Sequence, residues 1–329
     1  MGVAARQSIL CLGLDPQTAM IAQAAPEFFK YYGVKIVPDD DYPFEDREGL
    51  AKICRDFCKR AIDEAGDEVV WCKLQWAFWG KHGPWGFAAL EDVAHYARKQ
   101  GLIVILDAKC SDGGDSAQAY AQAYLGAQSV YDALTINPSI GQSCLEPFMA
   151  QLQANNKAAF AVCRTSFKPV SAFEQLPVLD REAVLKDLNR TDLHRGGKPL
   201  PSAFEWILDH GTRPHWQHVA IEIEKLGQSA LGACGWSNLG AVVGATSEES
   251  VIARQLMPQT WFLVPGYGVQ GSGSDSAVLA ADIHGFGITV NSSRGLLYPK
   301  TGTIGQAVHT ARLDLNNALK RAGKISTWL

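Results

Sequence analysis

The run LIVILDAKCSDGGD, residues 102–115, places five apolar residues, Leu102 to Leu106, directly ahead of Asp107, Lys109, Asp112 and Asp115. So apolar a run has no wet face, which is the pattern of a parallel strand covered on both sides. Seven more such runs recur: SILCLGL (8–14), EVVWCKL (68–74), SVYDALTI (129–136), AAFAVCR (158–164), LGAVVGA (239–245), TWFLVPG (260–266) and GITVNSS (287–293). Helix-length stretches separate them, among them AALEDVAHYARKQG (88–101), stopped by a glycine, and SEESVIARQLMP (247–258), which opens on a serine and closes at a proline. Strand and helix alternating eight times predict an α/β chain folded as a (β/α)8 TIM barrel, with a doubly wound open sheet as the alternative. Such barrels reach 250 residues and more, so the 329 residues are read as one domain spanning 1–329, with insertions at about 30–47 and 168–214.

Composition narrows the function classes. The chain is 47% hydrophobic and 19% charged, with a formal net charge of −4. No strong positive field is available to hold nucleic acid or an anionic membrane, although a small anion can still be bound locally. No apolar run has transmembrane length, and the opening MGVAARQSILCLGL carries no secretory pattern. The eight cysteines form no C-x-x-C pair and several lie in apolar runs, as expected of free thiols in a reducing cytosol. Cys54 and Cys58, one helical turn apart, and HWQH (215–218) are the only metal-like spacings, and neither has a further partner nearby, so no metal is expected.

In a barrel, reactive groups stand at the C-terminal ends of strands, so the strand ends are where to look. The first ends in Asp15; the second carries Lys73 and, on the same face, Gln75; the third ends in Asp107 and Lys109, with Asp112 just beyond. Acid and ammonium at salt-bridge distance attract by roughly 4 kcal/mol per pair at 4 Å and an effective dielectric of about 20. Such an array keeps its members ionised, repels a substrate anion and offers an ammonium to the carbanion that anion's departure leaves. The alternative is a stabilising ion network at the rim. Farther on, PGYGVQGSGSD (265–275) contains G-x-G-x-x-G as Gly266, Gly268 and Gly271. A dinucleotide site would need an acid at the end of a following strand, where VNSSRG stands instead. Glycine-rich backbone after strand seven, with Gln270 and with Arg294 after strand eight, fits a barrel phosphate site, an ordinary glycine turn being the plainer alternative. Trp71, Trp76, Trp79 and Trp85 are read as packing rather than as a platform for bases.

With these motifs in hand the sequence resembles the longer bacterial branch of the orotidine 5′-phosphate decarboxylase family. The resemblance rests on LCLGLDP (10–16), CKLQWAFW (72–79), DAKCSDGGDS (107–116), INPSIGQSCLEPF (136–148), RTSF (164–167), GAVVGAT (240–246), VPGYGVQG (264–271) and VNSSRG (290–295), in the family's order along nearly the whole chain. It implies decarboxylation of orotidine 5′-phosphate to UMP without metal or cofactor, on a (β/α)8 barrel that dimerises and shares its active sites. It also implies roles: Lys109 as proton donor to C6, Asp107 crowding the leaving carboxylate, and Lys73 holding the ribose and the charge array. Asp112 and Ser116 would reach the neighbouring subunit's site. Asp15 would bind ribose hydroxyls and Ser166 the pyrimidine, while Gln270, Arg294 and the glycine backbone around Gly268 would take the phosphate. The sequence departs from the family pattern at Cys110, Ser111, Gly113, Asp115, Ser139 and Phe167, none of which is one of the D-x-K-x-x-D residues Asp107, Lys109 and Asp112.

Overall fold

The computed structural model describes residues 2–37, 42–166, 172–180, 211–245, 247–268 and 273–324. Eight parallel strands close into a barrel in chain order: β1 Leu10–Leu14, β2 Trp71–Gln75, β3 Ile103–Cys110, β4 Ala133–Ile136, β5 Ala158–Arg164, β6 Ser237–Val243, β7 Thr260–Pro265 and β8 Ile288–Ser292, which pairs back onto β1. The closed ring settles the choice against an open sheet. Each strand run read from the sequence overlaps one of these strands, and the bounds differ by up to two residues where the strand extends beyond the run.

Helices follow the strands in turn: α1 Arg47–Ala65, α2 Gly83–Lys99, α3 Gly114–Leu125, α4 Glu146–Asn155, α5 His215–Gly227, α6 Ser247–Leu256, the single turn α7 Ser274–Ala277, and α8 Ile304–Arg321. Helix α2 starts five residues before the expected 88, because Pro84 suits a first helical turn. A capping box between Thr303 and Gln306 opens α8.

Side chains alternate between the barrel interior and the helix layer. Cys11, Ile105, Ala133, Phe160, Val242 and Leu263 pack together inside, with Trp71 and Trp261 against them. Outward neighbours such as Leu106, Leu134 and Ile136 join the larger core beneath the helices. Gly240 makes room for the plug, since a Cβ there would come within 2.6 Å of the Phe160 ring. The apolar interior fills the lower barrel and leaves the C-terminal ends of the strands for polar groups.

The first long connection holds a helix, Pro26–Tyr32, and a 3-10 turn, Phe44–Asp46, so the stretch expected to begin at 30 overlaps the end of a helix. Of the second, Pro177–Leu179 and Thr212–Pro214 pair antiparallel just ahead of α5. The expected tryptophan packing is present: Trp79 is buried, Trp71 lies 6.0 Å from Trp261, and Trp76 meets Phe87 and Tyr124 edge-on. No described helix is long and apolar enough to cross a membrane.

Candidate active site

Strands β1, β2 and β3 end side by side, and their inward positions bring Asp15, Lys73, Asp107 and Lys109 together. Asp107 is the hub. Its Oδ2 accepts from Lys73 Nζ at 2.8 Å and from Gln75 Nε2 at 3.4 Å, and its Oδ1 accepts from Lys109 Nζ at 2.6 Å and Thr135 Oγ1 at 2.9 Å. Lys73 Nζ also lies 3.7 Å from Asp15 Oδ1. Lys73 and Asp107 are buried, whereas the Lys109 side chain is 44% exposed.

Burial alone would push the Asp107 carboxyl up. Lys73 and Lys109 outweigh it and hold the carboxyl well below the usual carboxylate range. Burial would likewise lower the Lys73 ammonium, but Asp107 and Asp15 hold it above the ordinary lysine range. Lys73 and Asp107 therefore keep each other ionised in a site whose burial opposes both charges.

The array forms one wall of a cavity of about 460 Å³. Across it stand Ser166, from the turn after β5, and Arg294, from the turn after β8, with Phe78, Val162, Leu263 and Pro265 supplying apolar surface. Arg294 is exposed and makes no ion pair among the described residues, which leaves its guanidinium free for an anion. Gly268 lines a larger neighbouring cleft of about 830 Å³, together with Ser292 and Gly295. Its φ of +91° explains the glycine.

Two further glycines let the strand ends crowd together. A Cβ on Gly13 would lie 1.9 Å from Ser293 Oγ, and one on Gly244 would lie 2.9 Å from the Ser166 backbone. Ser166 is thus pressed against the end of β6.

The structure thus gathers Asp15, Lys73, Asp107, Lys109, Ser166 and Arg294 around one cavity. Asp112 and Ser116 do not join it: both are exposed, and Asp112 Oδ1 accepts from the Gly113 backbone at 2.8 Å. Gln270 and Phe167 lie outside the described residues. Asp115 is exposed and does not line the cavity, and among the described residues no three His, Cys, Asp or Glu side chains converge as a metal would require. Cys54 sits 3.7 Å from His82, and His218 faces the Val178 carbonyl.

Sequence reasoning missed Thr135, whose signal was a lone hydroxyl at an inward position of an apolar strand. It missed Asn291, buried in the cavity wall with an unpartnered Oδ1. It also gave no role to Arg164, fully buried behind Ser166 and held between Glu174 at 2.7 Å and Glu249 at 2.9 Å.

The sequence profile of the orotidine 5′-phosphate decarboxylase / HUMPS family matches residues 8–191. The chain belongs to that family. Among curated members, the orotidine 5′-phosphate decarboxylase of Rhodopirellula baltica is 32% identical over 298 residues, covering 88% of this chain and 84% of that one. The enzyme of the same name from Caldicellulosiruptor bescii is 29% identical over 305 residues, covering 89% and 86%. The solved structure of Leishmania donovani OMP decarboxylase superposes with a TM-score of 0.65 at 26% identity, over 96% of this chain and 95% of that one. Membership in this family agrees with the closed eight-stranded barrel.

Proposed function

We propose that this chain is an orotidine 5′-phosphate decarboxylase, converting orotidine 5′-phosphate to UMP and CO2 in pyrimidine nucleotide synthesis. The observation that carries this reading is the Asp15–Lys73–Asp107–Lys109 array facing Ser166 and Arg294 across one cavity. In the scheme, the substrate phosphate pairs with Arg294 beside the glycine-rich turn, Ser166 holds the pyrimidine, and Asp15 and Lys73 hold the ribose. The phosphate grip, remote from the reacting carbon, keeps the ring against the array and so lowers the barrier there. The C6 carboxylate is brought toward the Asp107 carboxylate, and that repulsion is relieved as CO2 leaves. The C6–carboxylate bond breaks, its electron pair stays on C6, and Lys109 Nζ delivers a proton to that carbon. A solvent proton then restores the lysine, so the sum is substrate plus one proton giving UMP and CO2. No metal or cofactor enters this scheme.

The same reading extends to assembly and compartment. Asp112 and Ser116, exposed at the rim and apart from their own array, are the groups to complete a neighbour's site in a homodimer. All eight cysteines are free thiols, seven of them buried, which accords with a reducing cytoplasm. We read residues 1–329 as one barrel domain.

Purified protein given orotidine 5′-phosphate is expected to show the fall in pyrimidine absorbance that accompanies conversion to UMP. Absence of turnover with UMP binding intact would leave a nucleotide-binding barrel instead. Mixing Asp112→Ala with Arg294→Ala subunits is expected to restore part of the activity. No recovery after proven subunit exchange would mean that each site is built from one chain.

A further inference from the structure

The β3–β4 ladder breaks where the chemistry begins. Ile105 pairs with Ala133 and Leu106 with Leu134, but the next pair is Cys110 with Ile136. Three residues of β3, 107 to 109, therefore face a single residue of β4, Thr135. Within that excursion Lys109 takes φ +49°, one of only three non-glycine residues with positive φ among those described. A lysine held there is strained by about 1–3 kcal/mol and persists only where its surroundings fix it.

Thr135 is what fixes it. The backbone N–H of Lys109, carried off the ladder, donates to Thr135 Oγ1 at 2.9 Å. The same hydroxyl donates its proton to Asp107 Oδ1 at 2.9 Å, the oxygen that also accepts from Lys109 Nζ at 2.6 Å. One donor and one acceptor of the hydroxyl are thus both used, in directions its chemistry allows. Thr135 is fully buried at the floor of the cavity, above Ala133 of the apolar plug, and among the described residues its hydroxyl bonds only to Lys109 and Asp107.

We infer that Thr135 is a positioning residue of the reaction: its hydroxyl locks the Lys109 backbone and the Asp107 carboxylate into one fixed geometry, aiming the ammonium at the carbon that receives the proton. This rests on the decarboxylase reading above and adds to it a residue that touches the array rather than the substrate. Without the hydroxyl, Asp107 Oδ1 loses a donor and the Lys109 N–H loses its acceptor. Lys109 is then released from its strained backbone and Nζ drifts.

The test compares Thr135→Val, which keeps the shape, with Thr135→Ser, which keeps the hydroxyl. Thr135→Val is expected to lower kcat by about 10²-fold, the size of effect that a 1 Å misplacement of a reacting group produces. KM and UMP affinity change little, because the phosphate, ribose and pyrimidine contacts lie elsewhere, and Thr135→Ser recovers most of the loss. A second readout does not depend on turnover. In unliganded protein carrying 13C-labelled aspartate, the Asp107 carboxyl is expected to titrate at higher pH in Thr135→Val, having lost a hydrogen bond to its ionised form. Lys73, Asp15 and Gln75 face it unchanged in both proteins, and a Lys109 ammonium that drifts away shifts the titration in the same direction. Wild-type kcat with an unmoved Asp107 titration in Thr135→Val would overturn the inference. So would equal loss of kcat, UMP binding and melting temperature in both variants, which would make Thr135 packing alone. An inactive wild-type protein would sink the decarboxylase reading, and the Asp107 titration would still decide the part played by Thr135.

Discussion

Two networks of buried charge stand on the same rim of the barrel. At the ends of β1 to β3, Asp15 and Asp107 balance Lys73 and Lys109. At the end of β5, Arg164 lies between Glu174 and Glu249, with its Nη1 also donating to the Thr165 carbonyl at 2.7 Å. In the second network the charged groups are paired with one another, and Arg164 Nε, itself buried, is left without a partner among the described residues. Glu249 takes Arg164 Nη2 on both oxygens and Gln175 besides, and Glu174 takes the Thr165 backbone N–H at 3.1 Å. The first is open, because Lys109 is nearly half exposed and Asp15 Oδ1 has no hydrogen-bond donor. Burial and ion pairing are common to both, so neither marks a reactive site. What separates them is a half-exposed ammonium, that of Lys109, on the wall of the cavity, whereas Arg164 is fully buried.

The largest test of that distinction is Lys109→Ala. Turnover is expected to fall by about 10⁴-fold or more, the upper range for removing a positioned proton donor. Thermal stability should hardly move, because the lysine side chain is half in water and Lys73 still pairs with Asp107. Equal loss of stability and turnover would place Lys109 in the class of structural ions.

Arg164→Met reverses the pattern. It leaves Glu174 and Glu249 facing each other without their cation, and breaking a buried pair in this way costs about 3–5 kcal/mol. Denaturant titration should register that loss. Kinetically the change is expected to be smaller than for Lys109→Ala and to enter through KM, since Arg164 holds the turn that carries Ser166. A stable variant with wild-type KM would mean that the clamp neither supports the fold nor places that serine.

Between these two networks lies the boundary of what the sequence makes legible. The strands are legible because both of their faces are apolar, and Lys73, Asp107 and Lys109 because period-two placement at strand ends needs no tertiary knowledge. Thr135 is not, since its partners are set by a ladder slip whose position no local pattern encodes. Arg164 stands in a quoted motif, yet Glu174 comes from inside a long insertion and Glu249 from a helix 85 residues away. Asp112 is read from its place just beyond the third strand and Ser116 from the family motif alone, and among the described residues neither lines the cavity.

Acid separates the open array from an uncharged reference. Asp107 titrates below its unfolded value, so its stabilisation is complete above about pH 4 and is lost as pH falls through the folded value. Lys73 titrates above its unfolded value, so its share is complete below about pH 10 and is lost only as pH rises through the folded value. Neutral pH holds both. Urea midpoints measured from pH 7 down to pH 2 should therefore fall more steeply for wild type than for Asp107→Asn, which has no carboxylate to protonate there. Parallel curves would mean that the Asp107 charge gives the fold nothing.

The smallest expected effect concerns the space behind Ser166. Gly244 has ordinary backbone angles, so alanine brings no strain of its own; its Cβ simply arrives 2.9 Å from the Ser166 backbone. Backbone cannot rotate away as a side chain can. Either the end of β6 or the turn after β5 must shift by a few tenths of an ångström, an overpacking that costs about 1–3 kcal/mol. The array, on the opposite side of the barrel, is untouched. Gly244→Ala is therefore expected to raise KM for orotidine 5′-phosphate while kcat at saturation stays near the wild-type value. A fall in kcat at unchanged KM would show that Ser166 takes part in the step itself, and would move it from the wall that binds to the side of the cavity that reacts.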